Sequence, residues 1–142
     1  MIKAGIIGAT GYAGAELVRL LMQHPQAEIA AISSVSFEGK PVSSVYPAYR
    51  RLNDMVCTTA QDVIDKSDVV FAALPHGLSQ DIAKECYERE KIFIDLGADF
   101  RLENEDDYKE WYGGEYKDKE LHRNAVYALP ELFRDQIKGK KQ

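Results

Sequence analysis

The run Ile2 to Ile7 stops at three glycines set three residues apart, Gly8, Gly11 and Gly14, in the stretch GATGYAG. From Ala13 the apolar spacing changes to Leu17, Leu20 and Leu21, the stripe of an amphipathic helix. A strand, a glycine turn and a helix therefore follow one another with no intervening linker. His24-Pro25 closes the helix, because the residue before a proline leaves the α region. Residues 28–33 (EIAAIS) then read as a second strand, which completes a βαβ unit of about 30 residues. Such a crossover is right-handed and its two strands are parallel.

Each glycine has a physical role in this pattern. The first lets the chain turn sharply off the strand, the second lets backbone approach a pyrophosphate, and the third packs the helix close to the strand. The helix N-terminus then presents free N–H groups to an anion. The spacing is G-x-x-G-x-x-G rather than G-x-G-x-x-G, and the flanking strand, helix and second strand supply the context that the glycines alone lack. A site that prefers NAD carries Asp or Glu at the end of strand two to accept from the ribose 2′-OH. Here that place reads Ser33-Ser34-Val35-Ser36 with Lys40 beyond, which suits a 2′-phosphate and points to NADP(H). The other reading of the serines is a polar loop, and Glu38 nearby would repel a phosphate.

Further on, residues 34–53 are rich in Gly, Pro, Ser and Tyr without a period and read as an extended loop with room for one helical turn. Residues 55–59 suggest a third strand, 60–66 a short helix, and 68–74 (DVVFAAL) a buried strand ended by Pro75-His76-Gly77. Ser79 is placed to cap a helix with Ile82, Ala83, Cys86 and Tyr87 on one face. Residues 91–96 (KIFIDL) form a fifth strand. Asn104 caps a helix whose first turn is acidic and whose Tyr108, Trp111 and Tyr112 share a face, before Gly113-Gly114 stop it. Residues 115–142 read as loop with one fragment at 127–132. Strands alternating with helices predict an α/β fold, a Rossmann-type doubly wound, mostly parallel sheet with helices on both faces.

Composition narrows the function. The 142 residues, 45% apolar and 29% charged, suit one globular domain. A net charge of -5 argues against a nucleic-acid partner, since only Lys138, Lys140 and Lys141 offset it locally. No stretch has the roughly 20 apolar residues of a membrane span, and the start of the chain does not read as a signal peptide. Two cysteines, Cys57 and Cys86, suggest a reducing, cytoplasmic setting and read as small core residues.

Five segments together resemble a known family: GATGYAGAELVRLL at 8–21, Ser33-Ser34, ALPHG at 73–77, DLGADFRL at 95–102 and YALPEL at 127–132. They are similar to the amino-terminal, NADP-binding half of the N-acetyl-γ-glutamyl-phosphate reductases. The resemblance implies reduction of that acyl phosphate to the semialdehyde by NADPH, a step of arginine biosynthesis, in an oxidoreductase that is a homo-oligomer when intact. It also implies a thioester on a cysteine in an N-P-G-C-Y-P-T motif and a second, catalytic and dimerisation domain, neither of which these 142 residues contain. Residues 1–142 are then the dinucleotide-binding domain, with no catalytic residue and no metal site of their own, and inactive alone. Apolar surface covered in an intact protein would be exposed, which predicts weak self-association or marginal solubility.

The resemblance assigns Gly8, Thr10, Gly11, Tyr12, Ala13 and Gly14 to the phosphate loop and Ser33 and Ser34 to the 2′-phosphate end, with Val35 where the family carries an arginine. Leu74, Pro75, His76 and Gly77 are assigned to the loop facing the nicotinamide, with His76 either a base or a loop hydrogen-bonder. Gly97 replaces the family's serine. Arg101 is the candidate for gripping a substrate carboxylate or phosphate, or else an ion-pair partner of Asp95 or Asp99. Tyr87 and Lys91 repeat the Y-x-x-x-K spacing of a proton relay, but the strip they occupy reads as core packing, as do Tyr12, Tyr108, Trp111 and Tyr112. The rival readings are a domain of aspartate-semialdehyde dehydrogenase and a nucleotide-sensing domain without catalysis.

Overall fold

Ile6 and Ile7 are adjacent in the sequence and both are buried. Successive strand residues point to opposite faces, so both faces of the sheet are covered where this strand runs. The computed structural model describes residues 1–51 and 54–141. Its strands are β1 (Ile2–Ile7), β2 (Ala27–Ser33), β3 (Val69–Ala72) and β4 (Ile92–Asp95). Its helices are α1 (Tyr12–Leu21), α2 (Ala60–Lys66), α3 (Ser79–Glu88), α4 (Glu105–Tyr112), α5 (Lys119–Asn124) and α6 (Pro130–Ile137). The strands lie in the order β2-β1-β3-β4 and every pair is parallel. Ile6 packs with Val18 of α1 and with Ile32, Val42 and Cys57. Ile7 packs on the other face with Val63 and Ile64 of α2 and Ala83 and Cys86 of α3. The doubly wound α/β arrangement predicted from the sequence is the one observed.

Several local expectations change. Residues 55–59 are not a strand of the sheet. Thr58 makes one parallel bridge to Ser33 and Val56 one antiparallel bridge to Pro41, and a segment split between partners of opposite direction cannot extend a ladder. The loop that begins at Ser34 carries two short 3₁₀ turns, Val42–Ser44 and Pro47–Arg51, rather than one helical turn. The parts of the loop reading that fall on Leu52 and Asn53, and Gln142 at the tail, lie outside the described residues.

Ser79 does not cap α3. It is the helix's first residue, the cap position is Leu78 without a side-chain bond, and the Ser79 hydroxyl donates instead to Asp95 Oδ1 at 2.9 Å. Residues 115–141 hold two helices, α5 and α6, where loop and one fragment at 127–132 were expected. Asp118 caps α5 by accepting from the amides of Glu120 and Leu121, and Pro130 stands in the first turn of α6. The cap of α4 by Asn104 and its stop at Gly113 match the reading. Of the aromatic residues expected to pack, Tyr108 is in the core, but Trp111 is 74% exposed and Tyr12 94%. Tyr87 also lies on the rim of its stripe, half-exposed, with Cys86 beneath it fully buried. A short helix laid across a sheet covers one i, i+4 row, and residues one step off that row reach solvent. Among the described residues no helix is long and apolar enough to cross a membrane.

Candidate functional site

The site grows out of the exits of β1 and β3, which lie side by side: Ala73 N donates to Ile7 O at 2.9 Å. Gly8 turns the chain at φ +87°, and a Cβ there would stand 2.4 Å from Ala73 O. Conformation and space both require glycine. The amides of Gly8 and Ala9 donate to Ser33 O at 3.0 and 2.9 Å, and Gly11 N donates to Gly8 O at 3.1 Å. Gly14 seats the helix on this turn, since a Cβ on it would come within 2.1 Å of Gly8 O.

The cap of α1 is Gly11, which offers no side chain, and the first turn holds no acidic residue. The amides of Tyr12, Ala13 and Gly14 precede the first residues able to find an intrahelical acceptor. With the helix dipole they make a place for an anion. The loop thus fits the pyrophosphate of a dinucleotide on its own geometry.

Three further contacts hold the loop and the helix it enters. Thr10 Oγ1 and Ser34 Oγ lie 2.6 Å apart, tying the turn to the end of β2. The hydroxyl of Tyr46 donates to Thr10 O at 3.1 Å and that of Tyr49 to Ala15 O at 2.8 Å. These tyrosines come from the loop after β2 and were not singled out from the sequence. Ser33 and Ser34 are buried, Val35 beside them is exposed, and the Lys40 ammonium lies 5.8 Å over the Phe37 ring.

The strand order reverses between β1 and β3, the point at which doubly wound sheets open a crevice for ligands. Residues 8–11 form one bank and residues 73–78 the other. Leu74 is half-buried against the core, and Pro75, His76 and Gly77 face solvent. The His76 ring lies 5.7 Å from that of Tyr112. This bank is held from below by Asp99, a fully buried carboxylate. Asp99 accepts from Gly77 N at 2.6 Å, from Ser79 N at 2.9 Å and from the Tyr108 hydroxyl at 2.9 Å. Asp95 accepts from Ser79 Oγ and from Gly97 N, and burial pushes its carboxyl above the usual range. Asp99 was read in the sequence only as a partner for Arg101.

Arg101 forms no ion pair with Asp95 or Asp99 among the described residues. Its guanidinium donates to Gly97 O at 3.3 Å, and it lines a cavity of about 500 Å³ between β4 and residues 125–141. None of the glycine-loop or 74–77 residues lines that cavity, but Gly97, which accepts from Arg101, borders the crevice bank, a Cβ on it standing 3.4 Å from Leu74 O. Cys57 and Cys86 are free and buried. Burial raises both thiols, Cys86 to about 12, which leaves no thiolate to act as nucleophile. Lys91 donates to Ser67 O at 2.7 Å, so it is not poised as a relay partner for Tyr87.

A family model described as "Semialdehyde dehydrogenase, NAD binding domain" matches residues 3–140. The N-acetyl-gamma-glutamyl-phosphate reductase of Clostridium beijerinckii is 55% identical over 138 residues, 97% of this chain and 40% of that protein. The reductase of the same name from Brachyspira hyodysenteriae is 52% identical over 143 residues, 100% of this chain and 41% of that one. Among solved structures, aspartate semialdehyde dehydrogenase with NADP from Candida albicans aligns with a TM-score of 0.63 and 27% identity, over 74% of this chain and 32% of that one. The chain thus spans about 40% of the length of the curated relatives it matches.

Proposed function

Since the chain belongs to the semialdehyde dehydrogenase NAD-binding domain family, we propose that it binds NADP(H) as the dinucleotide domain of an N-acetyl-γ-glutamyl-phosphate reductase. The observation that carries the cofactor reading is the uncapped N-terminus of α1 seated on Gly8 through Gly14. Identity above one half along the whole chain favours the acetylglutamyl reductase over aspartate-semialdehyde dehydrogenase, which matches less of the chain at lower identity.

In this reading Gly8, Thr10, Gly11, Tyr12, Ala13 and Gly14 hold the pyrophosphate, and Ser33 and Ser34 the phosphorylated ribose. Leu74, Pro75, His76 and Gly77 form the wall on the nicotinamide side. When bound, the nicotinamide supplies the hydride that turns the acyl group into an aldehyde. The nucleophile comes from outside these 142 residues, because both cysteines within them are buried thiols. Arg101 serves the substrate's carboxylate or phosphate from the cavity beside β4. The setting is cytoplasmic, and the intact protein is a homo-oligomer with a small acyl phosphate as substrate.

Thermal unfolding with NADPH, NADP and NADH tests this. A ligand at 100 times its Kd that binds only the folded chain adds about 2.7 kcal/mol, a shift of a few degrees in Tm at this size. A shift with the 2′-phosphorylated forms that NADH does not match is expected. An equal shift with NADH removes the 2′-phosphate assignment to Ser33 and Ser34, and no shift with any of the three removes the cofactor reading for this chain.

A further inference from the structure

We propose that Asp99 is a positioning residue for one half of the dinucleotide, acting through the 74–78 bank and not through the glycine loop. The inference rests on the cofactor reading above.

Asp99 is fully buried and has no cationic partner among the described residues, and its hydrogen bonds come from Gly77 N, Ser79 N and the Tyr108 hydroxyl. A carboxylate buried in that way is costly unless its acceptors are well used. The donors come from two directions: Gly77 and Ser79 from the bank of the crevice, and Tyr108 from α4. Asp99 supplies the cap that Leu78 does not give α3, from 20 residues downstream. Gly77 stands at φ +85° with open space where a Cβ would be. That left-handed backbone is one that glycine adopts freely, and the Gly77 amide donates to Asp99 at 2.6 Å. Among the described residues, the Gly77 amide is the hydrogen-bonded tether of the loop between Ala73 and Ser79.

The topology separates the two ends of an extended dinucleotide. With the pyrophosphate on the turn after β1 and the ribose phosphate toward β2, the other end crosses the switch point to residues 74–77. A loosened bank is then felt by the nicotinamide half and not by the adenine half.

The experiment is calorimetric titration of the 142-residue chain with NADPH and with 2′,5′-ADP, which carries the adenine half alone. Asp99→Asn keeps the shape but turns one acceptor into a donor facing an amide. We expect the Kd for NADPH to rise by about tenfold or more, and that for 2′,5′-ADP to stay within about twofold. Equal weakening of both ligands, or unchanged NADPH affinity, overturns the proposal. Should Asp99→Asn fail to fold, Tyr108→Phe decides by the same comparison. It removes one donor to Oδ1, so a smaller loss for NADPH alone supports the proposal, and an equal or absent effect overturns it. A wild-type chain that binds neither ligand overturns the cofactor reading itself and this inference with it. One that binds both, with no selectivity in the variants, overturns this inference alone.

Discussion

Gly11 and Gly14 stand in one loop under opposite constraints. A Cβ on Gly14 meets the backbone of Gly8 and Ala9 at 2.1 and 2.8 Å, whereas one on Gly11 meets only Gly8 O, at 3.5 Å. Gly14→Ala therefore has to lift the helix off the turn, an overpacking that costs about 1–3 kcal/mol or more. A fall in Tm with loss of dinucleotide binding is expected from melts of the ligand-free and NADPH-loaded chain. Gly11→Ala has room and an ordinary extended backbone, φ -75° and ψ 168°, so its ligand-free stability should change by no more than about 1 kcal/mol, the worth of a poorer cap. Loss of NADPH binding in Gly11→Ala at unchanged Tm would identify the close approach of a ligand. A large drop in the ligand-free Tm would show that the steric reading of the loop is wrong. The roles of Gly11 and Gly14 were legible in the sequence because their neighbours, Gly8 and Ala9, lie within six residues; the close approach of Ala73 O to Gly8 is set by the fold and was not. Asp99, Tyr46 and Tyr49 were not, because their partners lie 9 to 36 residues away and nothing local marks a carboxylate or phenol that acts across the fold.

At the scale of the element, α5 shows what a short helix can hide. It has 6 residues, too few for a hydrophobic period, and its signal was the single cap Asp118. Its Leu121 enters the core, and its His122 stacks on Tyr116 at 3.5 Å and on Phe100 at 4.6 Å. Among the described residues His122 Nε2 is buried without a hydrogen-bond partner. Burial lowers the His122 pKa from 6.5, against the raising influence of Asp99, Glu105 and Asp118. With the folded value below the unfolded one, the unfolded chain takes up the proton first. The contribution of neutral His122 is thus complete above about pH 6.5 and is lost as pH falls toward the lowered folded value. Asp95, whose carboxyl is raised by burial, works in the opposite sense, so the comparison has to be made within one background. His122→Phe keeps an aromatic ring between Phe100 and Tyr116 and removes the titration. Its Tm should fall less between pH 7.5 and pH 5 than that of the wild-type chain, and parallel curves for the two would remove His122 as the source. The strands were legible for the reason α5 was not. Each buried run such as residues 69–72 carries its own apolar signal, while residues 55–59 carried a similar signal but met two partners of opposite direction.

For the whole molecule the consequence lies at the β4 edge. A parallel sheet is ordinarily covered on both faces and read as a continuous apolar run, and KIFIDL has that composition. Yet Ile92, Ile94 and Leu96 remain 41, 38 and 41% exposed, and Leu132 of α6 is 71% exposed. The outward amide of Phe93 is met by Lys141 O at 2.8 Å, so the end of the described chain blunts the edge at one point and leaves the apolar cavity beside it open. An edge with apolar side chains is a template for pairing between molecules. The net charge of -5 opposes association only over about 10 Å at 0.1 M salt, too short a range to protect an apolar contact once formed. The 142-residue chain should therefore self-associate reversibly, with a weight-average sedimentation coefficient that rises with concentration. Salt should strengthen the association by screening repulsion rather than weaken it. Ile94→Lys, which places a charge on the edge, should return the chain to a monomer with little change in Tm, because Ile94 is already half-exposed. A wild-type chain that sediments as a monomer at every concentration, or an Ile94→Lys chain that associates as before, would show that the edge is adequately closed by residues 125–141.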